Sequence, residues 1–151
     1  MTFFRRFAYA FAGLWHCIKT EQNFRIHITA AMTALIFSAF YRLEAERYPV
    51  LILTILFVLG LEMMNTAIER TADLAAAKPH PLAKAAKDCA AGGVLLAAIG
   101  SLAVAVYLFS DTDRLWSAFG TIFTLPWLPF ALLYMGACLW FILLDISKNK
   151  K

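Results

Sequence analysis

The chain has 151 residues, 62% hydrophobic and only 16% charged, with a formal net charge of +4. That balance excludes a soluble fold of this size and bounds the chain to one small polytopic membrane domain. The basic residues flank apolar runs instead of forming a patch, which argues against nucleic acid as a partner and makes the charge a marker of membrane orientation.

The start, Met1 to Arg6, carries two arginines but no uninterrupted apolar core with a small-residue cleavage site behind it, so no signal peptide is expected. Residues 3 to 18 place Phe3, Phe4, Phe7, Phe11, Leu14, Trp15 and Ile18 at spacings of three and four, with Arg5, Arg6, His16 and Lys19 between and beside them. This predicts an amphipathic helix lying in the membrane interface, since about 15 residues with internal arginines cannot cross about 30 Å of hydrocarbon. Tyr9 on this helix reads by itself as an interfacial anchor. Cys17, Cys89 and Cys138 have no metal-ligand spacing and read as small apolar residues.

A polar patch, Lys19 to His27, precedes the first apolar run, which reaches Tyr41. Within it Glu21 and Arg25 stand four apart and invite a surface pair, and His27 alone reads as a hydrogen-bonded or interfacial histidine. Arg42 to Pro49 forms a tight charged turn, and a second span runs from about Pro49 to Ile68. Pro79-His80-Pro81 breaks the chain before a helix that starts near Pro81 and continues as a third span to Phe109. Gly92, Gly93 and Gly100 in that span are expected to permit close helix packing. Asp111 to Arg114 is the next turn. Leu115 to Leu125 reads as an interfacial approach and Trp127 to Leu144 as a fourth span, divided by Pro126 and Pro129. The expected fold is therefore an all-α membrane protein, with an interfacial helix and four spans.

The positive-inside rule orients it. Segments 1–27, 69–88 and 145–151 hold eleven Lys and Arg, against three in the two intervening turns. This puts both termini and the His80 loop in the cytoplasm.

The second span ends in an unusual face. At about 100° per residue, Glu62, Asn65, Glu69 and Asp73 fall within an arc of roughly 80°. A carboxylate near the bilayer centre costs at least about 2.5–3.5 kcal/mol on insertion scales, so Glu62 needs a purpose or a partner. A structural pairing with Lys or Arg of a neighbouring helix is the plain alternative. The functional reading is a graded stripe joining a lipid-embedded group to a water-borne one: the deep acid takes a proton from a lipid hydroxyl, and the shallow one holds a hydrated metal. The topology brings Glu21, Glu69, Asp73, His80, Lys87 and Asp88 to the cytoplasmic interface, where ATP is available. Glu21 and Glu69, with substrate phosphates, suffice for Mg²⁺, and a lysine such as Lys87 offsets charge during phosphoryl transfer. Neither a P-loop nor a kinase Gly-rich loop is present in the sequence.

Three motifs carry a resemblance. Thr20-Glu21-x-Asn23-Phe24-Arg25-Ile26-His27, Leu61-Glu62-Met63-Met64-Asn65-Thr66-Ala67-Ile68-Glu69 with Asp73, and His80-Pro81-Leu82-Ala83-Lys84-x-x-Lys87-Asp88 resemble the prokaryotic diacylglycerol kinase family, most of all its undecaprenol kinase branch. The resemblance covers about residues 4 to 109. It implies an integral-membrane lipid kinase of the bacterial cytoplasmic membrane: a homotrimer of subunits with a surface helix and three spans, sharing active sites between neighbours. It further implies Glu62 as the base on the lipid hydroxyl, supported by Asn65, and Glu21 and Glu69 as the metal ligands. Tyr9, Lys78, His80, Lys87 and Asp88 would contact or organise ATP. Residues 1–110 then form the kinase-like domain, and residues 111–151 an extension with the fourth span. The competing class is a small transporter or proton-linked channel. Against it, the chain has no internal repeat, and its polar residues stop at one side. A non-catalytic anchoring subunit would leave the acidic face unexplained.

Overall fold

The computed structural model describes residues 3–76 and 78–144. The described residues form six α-helices and no strand: α1 (Phe3–Thr20), α2 (Gln22–Phe40), α3 (Tyr48–Ala75), α4 (Pro81–Leu108), α5 (Thr112–Ile122) and α6 (Leu128–Leu143), with one 3₁₀ turn at Ala45–Arg47. The protein is an all-α membrane protein. Residues 45–75 and 81–108 make the two helices long and apolar enough to cross a bilayer, and α3 and α4, 28 residues each, reach about 42 Å. α2, with 19 residues, and α6, a shorter apolar helix of 16, fall short of that length and apolarity, so two of the four expected spans meet it among the described residues. Lys148, Lys150 and Lys151, which mark the C-terminus in the charge count, lie outside the described residues.

Helix α1 buries only Cys17, as an interfacial helix does. It stops where Glu21 turns extended, at φ −108° and ψ 114°. Arg25, itself buried, reaches back to close the end of α1: its Nη1 donates to the carbonyls of Ile18 at 3.1 Å and Lys19 at 3.4 Å, two of the acceptors a helix C-terminus leaves open. The expected Glu21–Arg25 pair is thereby corrected, because Arg25 is spent on the α1 cap and Glu21 on a residue of α3.

Helix α2 ends in a Schellman turn. Arg42 takes a left-handed φ of 57°, with Leu43 N–H donating to Ser38 O at 3.0 Å and Arg42 N–H to Ala39 O at 3.2 Å. The turn delivers Tyr41 and Leu43 into a small core with Leu51, Leu108 and Ala118, so α5 is part of the same packing unit as α2, α3 and α4. Pro49 lies in the first turn of α3 and Pro81 in that of α4, where the missing N–H costs nothing. The His80 Nδ1 accepts from Leu82 N–H at 3.2 Å and caps α4.

Two further expectations are corrected. Asp111 to Arg114 is not a free turn: Asp111 Oδ1 accepts from the N–H groups of Asp113 and Arg114, both at 3.1 Å, and nucleates α5 one turn early. Gly92, Gly93 and Gly100 do not mediate close packing within the chain, since a Cβ at any of them would meet nothing within 4 Å. α6 runs back along α2, with Trp127 edge-on to Phe40 at 5.3 Å and the Tyr134 hydroxyl 2.9 Å from that of Thr33. Its C-terminal end therefore returns to the end of the bundle that holds α1.

Candidate active site

The elbow between α1 and α2 lies against the lower half of α3, and the polar face of α3 meets it. Burial falls stepwise along that face. Glu62 is 3% exposed and Asn65 8%, Glu69 is half-buried, and the side chain of Asp73 is 69% exposed. Glu62 is 14 residues into α3, about 21 Å from its start, so a carboxylate sits at depth with a ladder of polar groups leading from it to water. The ionisable groups around it are His27 of α2, Glu69 of its own helix and Glu21 of the elbow.

Asn65 links two rungs. Its Nδ2 donates to Glu69 Oε1 at 2.9 Å, while its Oδ1 is buried without a partner. A buried amide oxygen left unpaired costs about 1–3 kcal/mol, so the site presents a vacant acceptor between Glu62 and Glu69. Glu21 is held from the other side: Arg70 Nη2 lies 2.7 Å from its Oε1, and Thr20 Oγ1 donates to the same oxygen at 2.9 Å. Cys17 faces Thr66 across α1 and α3. Burial pushes its thiol above the usual range, Glu21 adds to the push, and Arg70 opposes it.

Among the described residues no group of three or more His, Cys, Asp or Glu could hold a metal. Glu21, Glu69 and the orphaned Asn65 oxygen are nevertheless hard oxygen donors of the kind that bind Mg²⁺ together with phosphates. The residues fit a cation that arrives with its nucleotide and not one held by protein alone.

Beyond Glu69 the water-facing end opens into a groove of ≈ 720 Å³ between α3 and α4, lined by Asp73, Lys78, His80, Lys84 and Lys87. Lys87 is ion-paired with Asp73 across it. Lys78 and His80 also border a second groove of ≈ 880 Å³ on the other side of the α3–α4 hairpin, lined by Ile68, Thr71 and Leu82. Asp88 pairs with Lys84 at 2.6 Å on the surface. Tyr9 is 60% exposed on α1 and lines neither groove. The fold thus gathers Glu21, Glu62, Asn65 and Glu69 in one cluster, Lys78, His80 and Lys87 in an adjoining groove, and leaves Tyr9 and Asp88 apart in the single chain.

Arg70 carries no signal in the sequence, and His27 and Cys17, read there as an interfacial histidine and a small apolar residue, border the acidic cluster. Arg70 stands about 100° from Glu69 around α3, off the acidic face, and only the position of the elbow brings Glu21 to it. His27 carried the one available signal, lying six residues from Glu21 in the motif Asn23-Phe24-Arg25-Ile26-His27.

The sequence pattern of the prokaryotic diacylglycerol kinase family matches residues 8–109. An undecaprenol kinase of Bacillus subtilis (strain 168) is 42% identical over 107 residues, covering 71% of this chain and 87% of the relative. A diacylglycerol kinase of Synechocystis sp. is 46% identical over 99 residues, covering 65% of this chain and 57% of the relative. That of Escherichia coli (strain K12) is 30% identical over 112 residues, 74% of this chain and 87% of the relative. No solved structure matches at a significant level.

Proposed function

The chain belongs to the prokaryotic diacylglycerol kinase family, and on that premise we propose that it is a lipid kinase that transfers the γ-phosphoryl group of ATP, as its magnesium complex, to the hydroxyl of a membrane lipid. Undecaprenol is the favoured acceptor and diacylglycerol the next. The observation that carries this reading is the burial ladder of α3, with Glu62 at depth and Asn65, Glu69 and Glu21 leading from it to the water-facing groove.

Glu62 takes the proton of the lipid hydroxyl as the lipid oxygen bonds to the γ-phosphorus and the bond to the β,γ-bridging oxygen breaks, releasing ADP. Asn65 fixes Glu69 through its amide N–H and keeps its oxygen toward the reacting groups. Glu21 and Glu69 would hold the magnesium of the nucleotide complex, which would supply charge neutralisation at the phosphates. Lys87, freed from Asp73, meets the phosphates, with Lys78 and His80 beside it and Asp88 organising the start of α4 through Lys84. Tyr9 reaches the nucleotide of a neighbouring subunit. Its absence from the groove lining, and the burial of only Val94, Ala97 and Leu108 along the apolar length of α4, support a homotrimer with shared sites. The excess of lysine and arginine at the end that holds the groove supports a site on the cytoplasmic face of the bacterial inner membrane, with both termini on that side.

Purified protein in nanodiscs, given labelled ATP, Mg²⁺ and either undecaprenol or diacylglycerol, is expected to label the lipid. A folded protein that labels neither overturns the reading in favour of a transporter or anchoring role.

A further inference from the structure

Between α2, α3 and α4 runs a slot of ≈ 240 Å³, lined by His27 and Ala31 of α2, Thr54 and Val58 of α3, and Ser101 and Leu108 of α4. It extends over about 10–12 Å of each helix, from His27 away from the water-facing groove. Val58, one turn from Glu62, lies near its inner end. His27 is the one ionisable residue of its lining.

The two other polar side chains of the lining are already committed. Thr54 Oγ1 donates to Val50 O at 2.8 Å, and Ser101 Oγ donates to Ala98 O at 2.7 Å. The slot therefore has no hydroxyl proton to give. A plain hydrocarbon enters it at no polar cost. An ester carbonyl drawn in without a donor loses about tenfold or more in affinity. At the inner end, where His27 of α2 faces Val58 and Leu59 of α3, a hydroxyl meets the imidazole one helical turn from the Glu62 carboxylate.

We propose that His27 seats the alcohol end of the lipid at the inner mouth of this slot, its ring N–H donating to the hydroxyl oxygen while the hydroxyl proton points to Glu62, and that the slot takes one unfunctionalised hydrocarbon chain. His27 is thereby the residue that selects a polyprenyl alcohol, with a single hydroxyl and no esters, over a diacylglycerol. This rests on Glu62 as the base and assigns to His27 the lipid side of the same step. A site that donates to a substrate hydroxyl discriminates through that bond, and a slot of fixed polarity discriminates through what it leaves unpaired.

The test compares undecaprenol and dioleoylglycerol at equal mole fraction in nanodiscs, for wild type, His27→Leu, His27→Gln, Ser101→Ala and Ala31→Leu. His27→Leu is expected to raise KM for undecaprenol about tenfold, the worth of one hydrogen bond at about 1.4 kcal/mol. KM for Mg-ATP should stay put and the preference over dioleoylglycerol should collapse. His27→Gln, which keeps an N–H donor, should remain within about threefold of wild type, and Ser101→Ala should change nothing. A second readout needs no turnover. Without ATP, undecaprenol should raise the melting temperature of wild type and of Glu62→Gln, but not of Ala31→Leu, whose side chain fills the slot. Unchanged lipid KM and preference in His27→Leu, or an undiminished thermal shift in Ala31→Leu, overturns the proposal and leaves the kinase reading intact. If His27→Leu does not fold, the thermal shift of Ala31→Leu decides. Wild type that phosphorylates neither lipid overturns both.

Discussion

Arg70 Nη2 lies 2.7 Å from Glu21 Oε1 and 2.9 Å from Thr20 Oγ1, so one guanidinium fastens the α1–α2 elbow to α3 at the point where a metal ligand is proposed. The side chains are 45% and 25% exposed, so the pair itself adds less than about 1 kcal/mol to stability. Its larger effect is on charge. Arg70→Gln should leave Glu21 uncompensated beside Glu69 and lower the Mg²⁺ needed for half-maximal activity several-fold. A Mg²⁺ titration at saturating ATP reads this directly, and an unchanged midpoint would detach Arg70 from the metal site.

Glu62→Gln should abolish phosphoryl transfer, by at least about 10²-fold, while leaving nucleotide affinity within about twofold. The amide keeps the shape and loses the base, and it removes an ionisable group from a buried position, so the melting temperature should hold or rise. Activity within a few-fold of wild type removes Glu62 from the role.

Much of this arrangement was legible in the residues, for identifiable reasons. The spacing of Glu62, Asn65, Glu69 and Asp73 gives the polar ladder at once, because a helix converts spacing into a face. The helix starts at Pro49 and Pro81 followed from proline. What the sequence withheld depends on how separate elements dock. Arg25 serves α1 and not Glu21 because the elbow folds its guanidinium onto the open carbonyls of Ile18 and Lys19. Arg70 finds Glu21 across 49 residues of chain. His27 shares a slot with Val58 and Leu59 of α3, one turn from Glu62, because α2 packs on α3 there, a relation no local pattern encodes.

Glu21→Gln and Glu69→Gln should each weaken binding of the magnesium–nucleotide complex by roughly tenfold and be partly rescued by more Mg²⁺, because each removes one carboxylate from a site that retains the other and the phosphates. The two should differ in one respect. A glutamine at 69 can still accept the Asn65 N–H, 2.9 Å away in the wild type, so Glu69→Gln should keep the Asn65 geometry, and its kcat at high Mg²⁺ should recover more fully. Unchanged Mg²⁺ dependence in both variants would refute the ligand assignment.

Cys17 gives a pH prediction. Burial first, and then Glu21, hold its thiol above the usual range, so the folded state keeps a proton that the unfolded chain gives up near pH 8.5. The stability this contributes is fully present below that pH and is lost as pH rises through the higher folded value. Melting temperature should therefore decline from about pH 8.5 upward, and Cys17→Ala should flatten the decline. At pH 8 the exposed Cys89 should alkylate at least about tenfold faster than Cys17, as peptide mass spectrometry would read. Equal rates would show that α1 lifts off α3 readily.

The extension beyond residue 109 lies outside the family match, yet it is built into the fold. Ala118 of α5 completes the core with Tyr41 and Leu108, Phe119 packs against Phe37 with centroids 5.3 Å apart and rings tilted at 45°, Asp111 N–H donates to the Tyr41 hydroxyl at 3.0 Å, and Arg114 pairs with Glu44. All of these contacts lie at the end of the bundle opposite Glu69 and the groove, and every proposed catalytic, metal and nucleotide residue precedes Ala90. A chain ending at Ser110 should therefore keep its lipid kinase turnover per folded site within about threefold while losing about 1–2 kcal/mol of stability, or roughly 5–10 °C in melting temperature. Thr33 then loses its partner Tyr134, but its hydroxyl still donates to Thr29 O at 2.8 Å, so no buried donor is stranded in α2. A folded truncation that binds ATP yet phosphorylates no lipid would place part of the lipid site on α6, against the side of α2 that the slot does not use.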